Sequence, residues 1–353
     1  MQNIEYPMMN KEVMSVDVIP AKAGIQGIQK NRFRHYGRND NLSVRNSTFG
    51  VLHSIFVFRY FIITIFLLLI TFIPSLTLAG DKLTIYTVNY PLKYFAERIA
   101  GEHATVVFPA PADVDPAYWM PERKTVSAYQ RADLILLNGA HYAKWTEKVT
   151  LPRSKMIDTS KLFKDQYIET KEAVTHSHGP KGEHAHEDVA FTIWLDPDLA
   201  TRQAKAIEKA LSRKRPELRS TFQKNYTALQ KDLMALDREI KNIESNNQNQ
   251  PLIASHPVYD YLSHRYGLNM KSLHWEPDEV PGNSQWMELK KILKEHPAQW
   301  MIWEGEPLEE SADKLRSMGV SSIVFNPCGN VPEKGDFLSV MRGNVENLGT
   351  AFK

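Results

Sequence analysis

The stretch from Leu83 to Phe108, LTIYTVNYPLKYFAERIAGEHATVVF, decides the fold class of this chain. Its first part, LTIYTV (Leu83–Val88), is rich in β-branched and aromatic side chains, which predicts a strand. The following PLKYFAERIAG predicts a helix that ends at Gly101, and ATVVF (Ala104–Phe108) predicts a second strand. Strands that alternate with helices favour parallel α/β units. We therefore expect an α/β fold built on a parallel sheet.

The same alternation extends in both directions along the chain. A helix over TVSAYQRAD precedes a third strand, LILL (Leu134–Leu137). In the second half, strands are predicted over LIAS, MKSLHW, QWMIW and SSIVF. Helices are predicted over VYDYLSHRYG, QWMELKKILKEH, EESADKLRSMG and the stretch from Asp336 to Leu348. The two halves therefore each predict an α/β lobe.

Between these halves, one apolar stripe predicts a long helix. Its members recur every three or four residues, as on one face of a helix: Phe222, Tyr226, Leu229, Leu233, Leu236, Ile240 and Ile243. Two α/β lobes with parallel sheets, joined by one long backbone helix and separated by a cleft, are the predicted architecture. The expected domains are a first lobe over 80–195 with a His-rich loop at 175–188, a linking helix region over 196–249 and a second lobe over 250–353.

The N-terminal region predicts export. Residues 1–58 show no hydrophobic period, and we expect a non-structural extension there. Residues 59–79 combine a basic flank, an apolar core and small residues before Ala79, which predicts a signal peptide cleaved after that residue. An uncleaved anchor is the alternative, because about 20 apolar residues span a bilayer. No cysteine lies near the cleavage point, so we expect a periplasmic protein that is not a lipoprotein.

Composition excludes several classes of function. The formal charge of +2 and the absence of a basic stripe with interleaved aromatics argue against nucleic-acid binding. No nucleophile elbow, zinc-protease helix or paired catalytic carboxylates occur in the exported part, so we expect no enzyme. Cys328 is the only cysteine, which leaves histidine and carboxylate as the main metal donors.

A histidine-rich run precedes the linking helix. His176, His178, His184 and His186 lie within HSHGPKGEHAH. Such tracts are typical of metal binding, since neutral imidazole suits zinc, copper, nickel and iron. A solvated polar loop is the alternative.

Several segments, in order, resemble the solute-binding proteins of zinc and manganese ABC transporters. They are VDPAYWMP, SAYQRADLILLNGAHYAKW, FTIWLDPD, SHPVYDYLSHRYGL, IWEGEP and VFNP, and the resemblance runs from about Lys82 to the C-terminus. It implies a metal-binding cleft between the lobes, zinc as cargo with manganese or copper as alternatives, and an ABC permease with its ATPase as partners. We expect a monomer. A His-rich loop at this place is typical of the zinc-binding members.

The metal ligands that the resemblance implies are mostly replaced. The first His of the family falls on Ala117, the second on Thr192 and the closing Asp on Asn326, and His256 alone is retained. Zinc sites need about four N, O or S donors, so the inherited site cannot form unchanged. Possible replacement donors are Glu304 or Glu306, His274 and Glu276, His141, and Cys328.

From these we predict a core site of His256, Glu304, His141 and His274, with the four loop histidines as an auxiliary site. Each member has an ordinary structural alternative, such as packing, helix capping or hydrogen bonding. Loss of the inherited ligands leaves a second hypothesis open, in which the cleft binds a metal chelate or a small organic molecule. Tyr118 and Trp119 would then supply an aromatic wall. A structural protein with a vestigial cleft is a further alternative.

Overall fold

The computed structural model describes residues 57–65, 81–112, 114–170, 175–177, 183–185, 189–244 and 249–353. The chain divides into two compact units, Met1–Leu76 and Thr77–Lys353. In the first unit, residues 57–65 form a helix, α1. Across the described ranges, no helix combines the length and the apolar character needed to cross a membrane. The cleavage point expected after Ala79 lies outside the described residues.

The second unit begins with the lobe predicted from Leu83 onward. Four strands form a parallel sheet in the order β2-β1-β3-β4. They are β1 (Leu83–Thr87), β2 (Ala104–Val107), β3 (Leu134–Leu137) and β4 (Met156–Asp158). Helices α2 (Tyr90–Ala100) and α3 (Arg123–Arg131) connect the first three strands. This confirms the parallel α/β unit.

Helix α2 shows how local sequence sets the boundaries of these elements. The Asn89 side chain accepts a hydrogen bond from the Leu92 N–H at 3.1 Å and caps the first turn. Pro91 occupies the first turn, where its missing N–H removes no helical bond. Gly101 has a positive φ of 57° just after the last helical residue, so the chain leaves the helix there without steric cost.

The other lobe repeats this plan with a second parallel sheet, in the order β10-β9-β7-β8. Its strands are β7 (Leu252–Ala254), β8 (Met270–Ser272), β9 (Trp300–Trp303) and β10 (Ser321–Val324). The connecting helices are α6 (Asp260–Tyr266), α7 (Asn283–Glu295) and α8 (Glu309–Ser317). All three residues of β7 are buried, as expected for an inner strand of a parallel sheet.

Two helices join the lobes, α4 (Pro197–Lys214) and α5 (Arg219–Glu244). The predicted apolar stripe lies on α5, whose 26 residues extend over about 39 Å. Phe222, Leu229 and Leu233 of the stripe are buried. The C-terminal helix α9 (Phe337–Ala351) returns to pack against α5 and α2. The long backbone helix is therefore part of the common core and packs against α4.

Candidate metal centre

Three donor side chains meet at the carboxyl edge of the second sheet. His256 lies two residues after β7, Glu276 four residues after β8 and Glu304 directly after β9. Because β7 lies between β8 and β9 in a parallel sheet, the ends of these strands share one edge. One ligand atom of each side chain lies within 4.8 Å of the others. Ligand sites in open α/β sheets favour such an edge.

The spacing of these atoms suits a small cation. His256 Nδ1 lies 3.3 Å from Glu276 Oε1 and 3.7 Å from Glu304 Oε1. Tetrahedral zinc bonds of about 2.0–2.1 Å place neighbouring donors about 3.3 Å apart. His256 is only 5% exposed, while each carboxylate is about a quarter exposed. The arrangement therefore offers one imidazole nitrogen and two carboxylate oxygens to a partly desolvated ion.

Backbone hydrogen bonds from neighbouring strands fix the loop that carries His256. The Ser255 N–H donates to the Ile302 carbonyl at 2.8 Å, and the Trp275 N–H donates to the Ser255 carbonyl at 2.7 Å. The His256 ring meets the His274 ring edge to face, with centroids 5.9 Å apart. Both histidines line a cavity of about 160 Å³, together with the loop from Trp275 to Gln285.

The structure brings together two of the four predicted core residues, His256 and Glu304. His274 lines the same cavity but is not a member of the three-residue group. His141 lies in the first lobe, where its side chain is 58% exposed and Nδ1 lies 2.8 Å from Glu147 Oε1. His141 therefore lies outside the three-residue group, and a ligand role for His141 or His274 stays a prediction.

Glu276 belongs to the donor group, whereas His274, two residues earlier in the same loop, does not. From the sequence, Glu276 is a possible donor, and His274 is the residue predicted as a ligand. The sequence nevertheless contains a signal for Glu276, because a donor residue follows each of three successive predicted strands. These residues are His256, Glu276 and Glu304. Glu306, the other candidate near Glu304, is exposed and lies outside the group.

Residues at the replaced family positions make structural contacts. Ala117 is fully buried. The Thr192 hydroxyl donates to the Val258 carbonyl at 2.6 Å. The Asn326 side-chain oxygen accepts the Cys328 N–H at 2.7 Å. None of these three residues belongs to the donor group found in the described part of the chain.

Cys328, the soft donor considered from sequence, is also outside the group. It is 2% exposed, and burial, with a smaller contribution from Asp336, raises the pKa of its thiol to about 12. Metals bind the thiolate, so a thiol that stays protonated is a poor ligand.

The aromatic side chains of the first lobe pack against one another. Tyr118 meets Phe191 edge to face with ring centroids 6.3 Å apart, and Phe191 meets Tyr142 at 5.3 Å. Lys144 Nζ lies 4.9 Å from the centre of the Tyr118 ring, a cation–π distance. Tyr118, one of the two residues of the predicted aromatic wall, therefore packs against side chains of its own lobe.

The His-rich run is partly described. Strands β5 (Thr175–Ser177) and β6 (Glu183–Ala185) pair antiparallel, with His176 directly opposite His184 in the register. Just outside this pair, an isolated bridge joins Glu169 to Val189. His178 and His186 lie outside the described residues.

Comparison with known proteins finds similarity to proteins of zinc uptake. A family model for the zinc-uptake complex component A, periplasmic (ZnuA), matches residues 85–351. The zinc-binding lipoprotein AdcA of Streptococcus pneumoniae is 28% identical over 282 residues, which are 76% of this chain and 56% of that protein. The high-affinity zinc uptake system protein ZnuA of Bacillus subtilis is 27% identical, over 76% of this chain and 87% of that protein. This chain thus spans little more than half the length of the AdcA relative.

Solved structures show the same architecture. The Zn(II)-bound ZnuA-like domain of Streptococcus pneumoniae AdcA superposes with a TM-score of 0.65 at 25% identity. The match covers 77% of this chain and 99% of that domain. Two parallel α/β lobes are therefore the architecture that this chain shares with that Zn(II)-bound domain. Because the family model covers most of the sequence, the chain belongs to the ZnuA family.

The expectation that the protein is not a lipoprotein is corrected by these relatives. The AdcA proteins of two Streptococcus pneumoniae strains, both 28% identical to this chain, are named zinc-binding lipoproteins. The expectation that the protein is not a lipoprotein depended only on the lack of a cysteine near Ala79. It does not stand against membership of a family with lipoprotein members. The extracytoplasmic location that the sequence predicted is supported by the periplasmic family description.

Proposed function

We propose that this protein is the solute-binding component of a zinc ABC importer and that it carries the ion on His256, Glu276 and Glu304. The convergence of these three donors at one sheet edge is the observation that carries the proposal. Its relatives are named for zinc binding and zinc uptake, which supports the choice of cargo. The protein acts as a monomer that delivers zinc to a membrane permease driven by its ATPase, and no catalytic step is involved.

The charge of the donors suits a divalent ion. A neutral imidazole and two carboxylates neutralise a doubly charged cation, and a three-donor site leaves the fourth tetrahedral position to water. For sites with nitrogen donors, zinc and copper bind more tightly than manganese. Zinc is therefore the expected cargo, with copper and manganese as the competing ions to be tested.

The size of the adjacent cavity favours one alternative cargo. A volume of about 160 Å³ far exceeds the space of a bare ion. It leaves room for several waters or a small chelator. A zinc chelate is thus the second candidate, and it predicts that binding requires both the ion and the organic ligand.

Titration of metal-free protein with zinc, followed calorimetrically, tests the proposal. The wild type is expected to bind one tight equivalent at the core site, and His256→Ala is expected to lose it. His141→Ala is the matched control, because this exposed histidine lies outside the group. Failure of the wild type to bind zinc alone, with binding restored by an added chelator, would favour the second candidate.

A further inference from the structure

A hydrogen bond between the lobes ends on the turn that carries His256. Thr192 Oγ1 donates to the Val258 carbonyl at 2.6 Å. The Val258 N–H in turn donates to the His256 carbonyl at 2.9 Å and closes a three-residue turn. Thr192 is 4% exposed and His256 is 5% exposed, so water has little access to this pair of bonds.

The backbone beside Thr192 is fixed on the first lobe. The Phe191 carbonyl accepts a hydrogen bond from Asn138 Nδ2 at 2.9 Å, directly after β3. The Ala190 N–H donates to the Ile168 carbonyl at 2.9 Å. Asn138 is itself buried and accepts hydrogen bonds from Asn89 and Gln203. The first lobe therefore fixes the position from which the Thr192 hydroxyl donates its hydrogen bond to the Val258 carbonyl of the second lobe.

We propose that Thr192 is a positioning residue for the metal site. Its hydroxyl fixes the His256–Val258 turn from the opposite lobe, and thereby holds the imidazole at the distance from Glu276 and Glu304 that a shared ion needs. This inference rests on the proposed zinc function. Removal of the hydroxyl leaves a buried carbonyl without this donor, so the turn gains freedom and the imidazole is less well placed. Residues that orient metal ligands typically change metal affinity about 10- to 100-fold when they are replaced.

Three variants separate positioning from general stability. Thr192→Val removes the donor at nearly constant volume, and Thr192→Ser retains it. Thr201→Val is the matched control, because Thr201 is 5% exposed and its hydroxyl has no hydrogen-bond partner in the described part of the chain. If Thr192→Val does not fold, Thr192→Ala removes the same donor with less bulk.

Two measurements are made on each variant. Hydrogen exchange of the metal-free protein reports the freedom of the turn, and Thr192→Val is expected to speed exchange at the Val258 amide about tenfold by loss of its local constraint. Competition with a chromogenic zinc chelator reports affinity. Thr192→Val is expected to weaken zinc binding at least about tenfold, whereas Thr192→Ser and Thr201→Val stay within about twofold of the wild type.

The outcomes distinguish this proposal from the proposed function. Unchanged exchange and unchanged zinc affinity in Thr192→Val would overturn the positioning role. Equal losses in Thr192→Val and Thr192→Ser would also overturn it, since the hydroxyl would then not matter. A wild type that binds no zinc would overturn the proposed function, while the exchange of the metal-free protein still decides whether Thr192 fixes the turn.

Discussion

At the scale of single residues, the site differs from the one that sequence similarity implies. The positions equivalent to the family's other ligands hold Ala117, Thr192 and Asn326, and all three make packing or hydrogen-bond contacts. The donor group found among the described residues lies in the second lobe, with His256 between two glutamates. The resulting set is richer in oxygen than a three-histidine site and lies entirely on one sheet edge.

Glu276 is the residue whose role is least evident from sequence, and it gives a sharp prediction. Glu276→Gln is expected to weaken zinc binding at least about tenfold, because the site loses a charged donor. Asp278→Asn is the control, since this exposed aspartate lies in the same loop but belongs neither to the donor group nor to the residues that line the cavity. Chelator competition measures both. Equal affinity in the wild type and Glu276→Gln would exclude Glu276 as a ligand.

Cys328 gives a prediction about reactivity. Burial, with a smaller contribution from Asp336, raises its thiol pKa to about 12, so the thiolate is scarce at pH 8. We expect labelling by a disulfide reagent to be at least about 100-fold slower in the folded protein than in urea, where a free thiol has a pKa of about 8.5. Absorbance of the released reagent follows the reaction. Rapid labelling of folded protein would contradict the buried, protonated thiol.

At the scale of elements, a buried ion pair connects α6 with α5. Asp237 of α5 is 1% exposed, and its Oδ1 lies 2.9 Å from Arg265 of α6. Lys241 contacts the other carboxylate oxygen at 2.8 Å. Arg265 also lies 3.6 Å from Asp196, the residue that caps α4. The helix that follows His256 is thus tied to both backbone helices.

Asp237→Ala is expected to lower the free energy of unfolding by about 2–3 kcal/mol, because it leaves the partly buried Arg265 charge without its nearest carboxylate. Asp313→Ala is the control, since its pair with Arg316 is exposed on both sides and such pairs contribute about 0–1 kcal/mol. Urea unfolding measures both. Equal effects of the two substitutions would show that this ion pair does not stabilise the fold.

The pH dependence of stability follows from the same carboxylate. Burial raises the Asp237 pKa, but hydrogen bonds from Lys241 and Arg265 outweigh it and hold the pKa below its usual value. A carboxyl whose pKa is lower in the folded state stabilises the protein above its unfolded pKa of about 3.9. This contribution is lost as the pH falls through the lower, folded value. Urea titrations between pH 3 and 6 should show a smaller acid loss in Asp237→Asn than in the wild type.

The paired strands β5 and β6, called here the His-rich hairpin, give a further prediction. His176 and His184 occupy opposed positions of β5 and β6, and residues opposite each other in an antiparallel pair are close neighbours. We expect zinc beyond the first equivalent to bind here more weakly. Deletion of residues 176–186 should remove only this weaker binding in a calorimetric titration. Loss of the tight equivalent in the deletion variant would show that the hairpin, and not His256, holds the main site.

Sequence patterns predicted the helices and strands better than they predicted which side chains come together at the ends of the strands. The alternation from Leu83 onward predicted both sheets, and the spacing of seven apolar residues predicted α5. Strand β4 was missed because its three residues are only partly buried and carry no clear alternation. The convergence of Glu276 with His256 depends on the strand order of the second sheet, which no local spacing reveals.

At the scale of the whole molecule, one lobe supplies the donors and the other supplies the contact that orients them. The first lobe fixes Thr192, which reaches the turn after His256, and α4, α5 and α9 form the common core behind both sheets. Under the two proposals above, this is how the chain would hold a metal ion although Ala117, Thr192 and Asn326 stand at the other ligand positions that the family resemblance implies.

Anomalous diffraction at the zinc absorption edge, from crystals of the zinc-loaded protein, tests directly whether His256, Glu276 and Glu304 bind one ion. One strong anomalous peak is expected, about 2.0–2.2 Å from a nitrogen of His256 and from oxygens of Glu276 and Glu304. A peak at the His-rich hairpin alone, or no peak at the edge of the second sheet, would contradict it.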